Sequence, residues 1–336
     1  MVEHWNQMND RKGPADTKSP QVIAISAGKG GVGKTLLSVN LARTLSWSGK
    51  RVLLVDMDLY NRGSTTLVAD APIVGKITVA DIMEMARDRR VTRLRKSVTD
   101  KELANATDDS GNSIPLYLVP STATNTIVDW AQYSYDILEL RDFLRRVIRE
   151  FANKYDLDCV VFDCRPGPEP MFLAAAGIAT DIILVTEADI VTLNGNINLY
   201  SYLANVYKEN SDVLRNVRFV INRIPKGEDI AIIEQRYMKR LFDLFKTRPI
   251  LASIPFDNAV FQSFGQHRFV VDQLPNSAFS KHVAAIAMAL YSGNHDDLLS
   301  DQCRHMASTL NEPWFTTGKK ALVEAFGSLM KTRTVR

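Results

Sequence analysis

The chain has 336 residues, of which 46% are hydrophobic and 24% are charged, and its formal net charge is +3. This length and composition are typical of a soluble globular protein built as one large α/β domain with extensions. The absence of any apolar run of 18 or more residues excludes a membrane-spanning segment, and the small net charge excludes a heavily basic nucleic-acid binder while leaving room for a local basic patch.

The first 19 residues are polar, include Pro14, and are predicted to form a disordered leader. Residues 1–6 lack the basic and apolar pattern of a secretory signal, and Val2 stands where N-myristoylation requires glycine. The three cysteines form no C-x-x-C pair, which is typical of reduced thiols. We therefore expect a cytoplasmic protein, with peripheral attachment to a membrane or nucleoid left open.

Short apolar runs then alternate with helical segments as far as residue 292. The predicted strands cover residues 22–25, 52–55, 116–119, 160–162, 182–185, 219–221 and 250–252. Predicted helices carry apolar residues at helical spacing after residue 35, over 137–151 and over 232–245. Strands that are apolar throughout are buried on both faces, which indicates a parallel sheet with helices on both sides.

We therefore predict one doubly wound α/β domain over residues 20–292, with a mainly parallel sheet, and a C-terminal extension over residues 293–336. Two stretches inside the domain depart from the alternation. Residues 87–101 hold seven basic and two acidic side chains, and residues 105–113 are rich in Asn, Asp and Ser, as in an exposed loop.

The most informative motif is Gly-Lys-Gly-Gly-Val-Gly-Lys-Thr over residues 28–35, named the phosphate loop below, which matches the P-loop pattern in full. Its glycines allow backbone N–H groups to surround phosphates. Lys34 supplies a charge to the β- and γ-phosphates, and the Thr35 hydroxyl is a ligand for Mg²⁺. The loop joins a buried strand to an amphipathic helix, whose N-terminal dipole favours the same anion. The loop predicts binding of ATP with Mg²⁺ and the fold of a P-loop NTPase.

A second lysine, Lys29, lies inside the loop, where an ordinary P-loop needs no charge. Residues 29–35 thereby resemble the deviant Walker A motif of the ParA/MinD ATPases. The resemblance, which covers residues 20–292, implies a homodimer formed on ATP binding. It also implies that Lys29 reaches across the dimer to the partner's phosphates.

Two aspartates at predicted strand ends are similar to further elements of this family. Asp58 matches the second aspartate of a D-x-D element, which orients the attacking water, although the segment after it, residues 59–64, fits no familiar subfamily. Asp163 ends a Walker B-like strand and would reach the Mg²⁺ shell. The resemblance thus makes Lys29, Lys34 and Asp58 the catalytic residues, and Thr35, Asp58 and Asp163 the metal residues.

Three later segments complete the resemblance. Residues 164–167 look like the family's D-x-P-P-G switch with Arg165 in place of the first proline, so that Gly167 would give its N–H to the γ-phosphate. Asn222 and Arg223 resemble the pair that recognises adenine, and Pro255 belongs to a segment that closes over the base. The expected nucleotide contacts are Gly30, Gly31, Val32, Gly33, Lys34, Thr35, Leu36, Gly167, Asn222, Arg223 and Pro255.

The cargo of such an ATPase has two candidate surfaces. Residues 322–330 place apolar side chains on one face of a helix flanked by basic residues, as in an interfacial membrane helix. The basic run of residues 87–101 instead favours nonspecific, salt-sensitive binding of DNA. The sequence leaves DNA and an anionic membrane open.

Two other functions on the same fold need features that this sequence lacks. An electron carrier needs cysteines at a dimer axis, and no convincing set is present. A bacterial tyrosine kinase needs a tyrosine-rich tail, whereas the last tyrosine here is Tyr291. An ATP-gated regulatory subunit that recruits a protein partner, in secretion, polysaccharide export or a defence system, stays open. The main hypothesis is a slowly hydrolysing dimerisation switch that positions a cargo and is stimulated by, or recruits, a protein partner.

Overall fold

The computed structural model of the chain describes residues 19–69, 77–87, 104–107, 113–122, 136–208, 211–241, 250–263 and 269–292. All of the expected leader except Ser19, the basic run beyond Arg87 and the whole extension over residues 293–336 lie outside these residues. The predictions made for those segments therefore remain predictions.

The described strands form one sheet whose neighbours are parallel, apart from a single antiparallel pair. The strands are β1 (Gln21–Ser26), β2 (Val52–Asp56), β3 (Ala104–Thr107), β4 (Ser113–Val119), β5 (Cys159–Asp163), β6 (Asp181–Glu187), β7 (Val217–Ile224) and β8 (Ile250–Pro255). Their order is β3-β4-β2-β5-β1-β6-β7-β8, and only β3 and β4 pair antiparallel among them. Each of the seven predicted strands lies within an observed one, which confirms the mainly parallel sheet.

Strand β3 corrects the expectation that residues 105–113 are an exposed loop. Residues 104–107 pair with β4, and β4 itself begins at Ser113. Among the described strands, β3 lies at the edge of the sheet and has a paired neighbour on one side only. Polar composition is compatible with such an edge strand, so composition by itself could not distinguish it from a loop.

The described helices connect the strands and cover both faces of the sheet. They are α1 (Lys34–Trp47), α2 (Gly63–Val68), α3 (Val79–Arg87), α4 (Ile137–Tyr155), α5 (Pro170–Ala176), α6 (Ile190–Val206), α7 (Ser211–Arg215), α8 (Ile230–Leu241), α9 (Asn258–Ser263), α10 (Val270–Gln273) and α11 (Ala278–Ser292). None of these helices combines the length and hydropathy needed to cross a bilayer.

Alternate residues of the strands pack into two separate hydrophobic cores, one on each face of the sheet. In β1, Val22 and Ala24 belong to the core on one face, whereas Ile23 and Ile25 belong to the core on the other. The first core is completed by α3, α4, α5, α6 and α8, and the second by α1, α9, α10 and α11. Helices on both faces confirm the predicted doubly wound arrangement.

The topology places the predicted functional residues at the carboxyl edge of the sheet. β2 and β5 lie on one side of β1, and β6 lies on its other side, so the chain changes direction at β1. Ligands of doubly wound sheets bind outside the carboxyl ends of the strands at such a point. The phosphate loop begins directly after β1, and Asp56 and Asp163 end β2 and β5.

Candidate functional site

The phosphate loop connects β1 to α1 by a backbone path that glycine permits. Gly31 and Gly33 have φ values of 85° and 93°, in the left-handed region that L side chains rarely adopt. At Gly33, a Cβ atom would also lie 2.4 Å from the Asn222 Nδ2 atom. α1 has no acidic residue in its first turn and no side-chain cap on its first N–H groups. The loop thus opens onto a helix N-terminus suited to an anion.

Gly28 is held in place by helix α6, a contact that the sequence analysis did not predict. The Gly28 N–H donates to Oδ1 of Asn196 at 2.5 Å, and Asn196 Nδ2 donates to the Val185 carbonyl at 2.9 Å. The Asn196 side chain is fully buried. A Cβ atom on Gly28 would lie 2.0 Å from the backbone carbon of Gly195. The first residue of the loop is therefore positioned by a tertiary contact rather than by its neighbours in sequence.

Lys34 lies beside buried carboxylates at the ends of β2 and β5. Its side chain is only 7% exposed, and burial lowers its pKa against the opposing attraction of Asp163 and Asp58. Asp163 accepts hydrogen bonds from Ser38 Oγ at 3.1 Å and from Ser64 Oγ at 2.6 Å. Burial raises the pKa of Asp163, while these hydrogen bonds and Lys34 oppose that rise.

Asp56 faces Asp163 across the β2–β5 pair and was not predicted as a site residue. Its Oδ2 atom accepts hydrogen bonds from Thr65 N at 2.8 Å and from Thr65 Oγ1 at 2.7 Å. Complete burial, followed by repulsion from Asp163, raises the pKa of Asp56 to about 7. Asp56 therefore fixes α2 against the sheet. Its signal in the sequence was the first aspartate of the D-x-D element.

Asp58 lies on the same edge of the sheet, and its carboxylate accepts hydrogen bonds from its own loop. Its Oδ1 atom accepts hydrogen bonds from Tyr60 N at 3.2 Å and from Asn61 N at 3.0 Å, and its Oδ2 atom accepts one from Asn61 Nδ2 at 2.8 Å. Asp58 is 9% exposed and close enough to Lys34 to attract its charge. Its carboxylate is thus held by three hydrogen bonds within its own loop.

The resemblance implies Mg²⁺, and the donor chemistry of these residues fits it. Thr35 lies near Asp163, and both offer the oxygen ligands that Mg²⁺ prefers. Among the described residues, no three His, Cys, Asp or Glu side chains cluster closely enough to hold a metal by themselves. Because Mg²⁺ in phosphate sites is usually bound by one or two carboxylates together with phosphate oxygens and water, this donor set is sufficient.

One cavity joins the phosphate loop to the residues expected to contact the base. It is lined by Gly31, Gly33, Lys34, Thr35, Leu36, Asn222, Arg223, Pro255, Phe256, Asp257, Val260, Phe261 and Phe279. Phe261 and Phe279 were not predicted, and both lie outside the motifs. The Phe256 and Phe261 rings lie 6.3 Å apart at 42°, and Phe261 is 59% exposed. An aromatic wall of this kind suits the face of a nucleotide base.

Asn222 and Arg223 also support the phosphate loop directly. Asn222 Nδ2 donates to the carbonyl of Val32, a buried loop residue, at 2.8 Å. An Arg223 guanidinium nitrogen donates to the Gly31 carbonyl at 2.7 Å and to Glu187 Oε1 at 3.0 Å. Arg223 has a φ of 57°, which turns the chain at this point. The two residues therefore touch the loop as well as lining the cavity.

Gly30 and Gly167 lie where the phosphate loop meets the segment after β5. A Cβ atom on Gly30 would meet only Pro166 Cγ, at 3.8 Å. The Gly167 N–H donates to the Ala27 carbonyl at 2.8 Å. The expected donation from Gly167 to a γ-phosphate would require this hydrogen bond to break.

The Lys29 side chain is exposed to solvent. Its charge acts on Asp189, the N-cap of α6, which accepts hydrogen bonds from Val191 N and Thr192 N. Burial raises the pKa of Asp189, but these hydrogen bonds and the charge of Lys29 together lower it. Lys29 thus lies close enough to Asp189 for its charge to act on that carboxylate.

Comparison with known proteins shows which family model and which relatives this chain is similar to. A family model described as an AAA domain matches residues 20–216. The chain is 31% identical over 176 residues to the chromosome partitioning protein ParA of Myxococcus xanthus, a match that covers 52% of this chain and 55% of that protein. It is 29% identical over 204 residues to the septum site-determining protein MinD of Bacillus subtilis, covering 61% of this chain and 65% of that protein. The matches thus span less than two thirds of these relatives' length.

Solved structures share the fold. A ParA family ATPase from Chlorobium tepidum TLS matches with a TM-score of 0.58 at 20% identity, covering 80% of this chain and 98% of that one. MinD complexed with Mg-ADP from Pyrococcus horikoshii OT3 matches with a TM-score of 0.54 at 22% identity, covering 80% and 95%.

Proposed function

Since the chain belongs to the ParA/MinD family of P-loop ATPases, we propose that it binds and slowly hydrolyses ATP as a dimerisation switch that positions or partitions a cargo on DNA or a membrane. The observation that carries the proposal is the single cavity shared by the phosphate loop and by Asn222, Arg223 and Pro255. A cavity with a cationic, glycine-rich end and an aromatic end matches the two halves of a nucleotide.

The residues divide the chemistry between them. Lys34 and the N-terminus of α1 bind the β- and γ-phosphates, because a buried cation beside a helix N-terminus favours an anion. Thr35, and Asp163 through a water molecule, would hold Mg²⁺, which supplies charge neutralisation on the phosphates when bound. Asp58 orients the attacking water. Lys29 extends to the phosphates of a second protomer, where its charge stabilises the transition state.

The exposure of Lys29 supports the switch. An exposed cation in the phosphate loop would complete the charge balance of a partner's phosphates only when two protomers face each other. ATP then favours the dimer, and hydrolysis releases it. A surface element with weak affinity for DNA or lipid would be engaged twice in the dimer, so that dimerisation changes attachment by avidity.

A second candidate is a regulatory subunit that recruits a protein partner in its ATP-bound state. It draws support from a solved MinC:MinD complex of Aquifex aeolicus, which has the same fold at 22% identity and a TM-score of 0.56. In that case the dimer presents a protein surface rather than a lipid or DNA surface.

Nucleotide binding is tested with Lys34→Ala. We expect this variant to lose Mg–ATP binding and turnover by about 100-fold or more, because one preorganised charge at a phosphoryl group is commonly worth that factor. Lys239→Ala, which removes an exposed lysine from α8, is the matched control and should behave as wild type. Unchanged ATP turnover in Lys34→Ala would refute the assignment of the site.

The cargo surface is tested by co-sedimentation of the full chain with anionic liposomes and with plasmid DNA. Each arm is run with and without Mg–ATP at two salt concentrations, since contacts of basic side chains with either surface weaken as salt rises. ATP-dependent pelleting with one surface supports the positioning function on that surface. Failure with both surfaces would favour the regulatory subunit.

A further inference from the structure

Arg165 connects two loops that flank the phosphate loop. It stands where the family's switch motif carries a proline, and its guanidinium carbon lies 4.2 Å from the centre of the Tyr60 ring. Its NH1 atom lies 3.1 Å from Glu169 Oε1. Tyr60 belongs to the loop of residues 58–62 and Arg165 to the loop of residues 164–169. The side chain is therefore a bridge between the ends of β2 and β5.

The backbone of the 164–169 loop is anchored to β1 and the start of the phosphate loop. Cys164 N donates to the Ile25 carbonyl at 2.9 Å, and Ser26 Oγ donates to the carbonyl of Arg165 itself at 3.1 Å. Gly167 N donates to the Ala27 carbonyl at 2.8 Å. Arg165 thus projects from a segment whose position is fixed by the strand that carries the nucleotide site.

Tyr60 in turn is joined to Asp58 through its backbone. The Tyr60 N–H donates to Asp58 Oδ1 at 3.2 Å, so the placement of Tyr60 and the orientation of the carboxylate are coupled. The Tyr60 ring is 44% exposed. Among the described side chains, Arg165 is the cation that lies over the Tyr60 ring. A cation over an aromatic ring at this distance is attractive by electrostatics.

We propose that Arg165 is a positioning residue for ATP hydrolysis, which holds Asp58 in place by fixing Tyr60 over the 164–169 loop. This inference rests on the proposed function, because it assigns Asp58 to the attacking water. Glu169 helps to orient the Arg165 guanidinium, because it pairs with one of its nitrogens. Arg165 acts through Tyr60 and touches no reacting atom.

The inference is tested by single-turnover hydrolysis of Mg–ATP in the full chain. We expect Arg165→Ala and Tyr60→Ala each to lower the rate about 3- to 10-fold while changing ATP affinity less than about 2-fold, since the lost contact is partly exposed and neither side chain lines the cavity at the phosphate loop. Arg165→Lys should recover part of the rate and Tyr60→Phe nearly all of it, because the charge and the ring face are kept. The double variant should be no slower than the slower single variant.

Arg215→Ala is the matched control, because it removes an exposed, ion-paired arginine at the opposite, amino-terminal end of the strands. Three results would overturn the inference. They are rate losses that add up in the double variant, a loss of ATP affinity as large as the loss of rate, and a Tyr60→Phe rate as low as that of Tyr60→Ala. If Lys34→Ala abolishes hydrolysis while the Arg165 variants match wild type, the inference alone fails. If Lys34→Ala leaves hydrolysis intact, the proposed function fails.

A second measurement does not depend on the turnover rate. Hydrogen–deuterium exchange of the intact, folded protein reports the Tyr60 and Asn61 amides, which donate to Asp58. We expect faster exchange at both amides in Arg165→Ala and no change in Arg215→Ala. Equal exchange in Arg165→Ala and wild type would show that Arg165 does not fix this loop.

Discussion

Gly28 illustrates how a single missing side chain allows the phosphate loop to form. Its φ lies outside the left-handed region, so glycine is not needed there for backbone conformation. It is needed for space, because α6 approaches so closely that a Cβ would meet the Gly195 backbone at 2.0 Å. The same approach lets Asn196 accept the Gly28 N–H. Position 28 is therefore determined by packing rather than by contact with phosphate.

We predict that Gly28→Ala lowers the melting temperature of the nucleotide-free protein by several degrees, since two backbones must separate to admit one methyl group. Gly30→Ala is the control within the same loop, because its Cβ would meet only Pro166 Cγ at 3.8 Å. Differential scanning calorimetry should show a near wild-type transition for Gly30→Ala. Equal transitions for the two variants would contradict the packing argument.

The sequence was sufficient to propose those candidate site residues that belong to contiguous motifs. Lys34, Thr35 and the glycines of the loop were proposed from the spacing of the P-loop pattern, because phosphate chemistry restricts which residues occur there, and Asp163 was proposed from a family resemblance. Asn196 and Phe261 could not be found this way. Each lies in an ordinary helical segment and acquires its role when distant parts of the chain fold together.

At the scale of elements, α1 is fastened to α10 by a buried ion pair. Arg43 Nε and NH2 donate to the Asp272 carboxylate at 3.0 Å and 2.6 Å, and the Arg43 side chain is 2% exposed. The guanidinium also lies 4.8 Å from the Phe269 ring centre. A second link is the donation from Val271 N to Asn40 Oδ1 at 3.0 Å. The helix that starts at the phosphate loop is thus fixed from its far side.

We predict that Asp272→Asn lowers the free energy of unfolding by about 3 kcal/mol, because it leaves a buried guanidinium without its charged partner. Replacing both partners by apolar residues, as in Arg43→Met with Asp272→Leu, should restore more than half of this loss. Urea unfolding monitored by circular dichroism measures both quantities. Asp142→Asn is the control, because its ion pairs are half exposed and should contribute less than about 1 kcal/mol. A control loss as large as that of Asp272→Asn would contradict the prediction.

Most strands could be predicted from local sequence, whereas one was found only in the tertiary structure. The strands of the parallel sheet were predictable since burial on both faces demands continuous apolar runs. The edge strand β3 was not, because an edge needs only one partner and tolerates polar residues.

At the scale of the whole molecule, Lys29 is the feature that a single protomer leaves unexplained. It is exposed, near Asp189, while the enclosed side of the site is already served by Lys34. Ile190 and Val191, which follow Asp189, are 42% and 61% exposed. Exposed charged and apolar side chains next to each other suit contact with a second copy of the chain.

We predict that Mg–ATP converts the wild-type protein from monomer to dimer, and that Lys29→Ala remains monomeric while binding ATP with affinity within about threefold of wild type. Light scattering coupled to size exclusion gives the mass, and equilibrium dialysis gives the affinity. Lys239→Ala should dimerise as wild type. A Lys29→Ala dimer that forms as readily as the wild-type dimer would remove the cross-protomer role.

The sequence by itself determined the class of fold and predicted the chemistry. The phosphate loop follows from local spacing, the roles of the two aspartates were proposed from a family resemblance, and the sheet follows from apolar runs that must be buried. Only the tertiary structure decided which contacts hold these parts in place. Asn196 accepts a hydrogen bond from Gly28, Asp272 pairs with Arg43, and the Arg165 guanidinium lies over the Tyr60 ring. Such contacts join residues about 105 to 230 positions apart, and no local pattern encodes them, because they depend on which surfaces the folded sheet brings together.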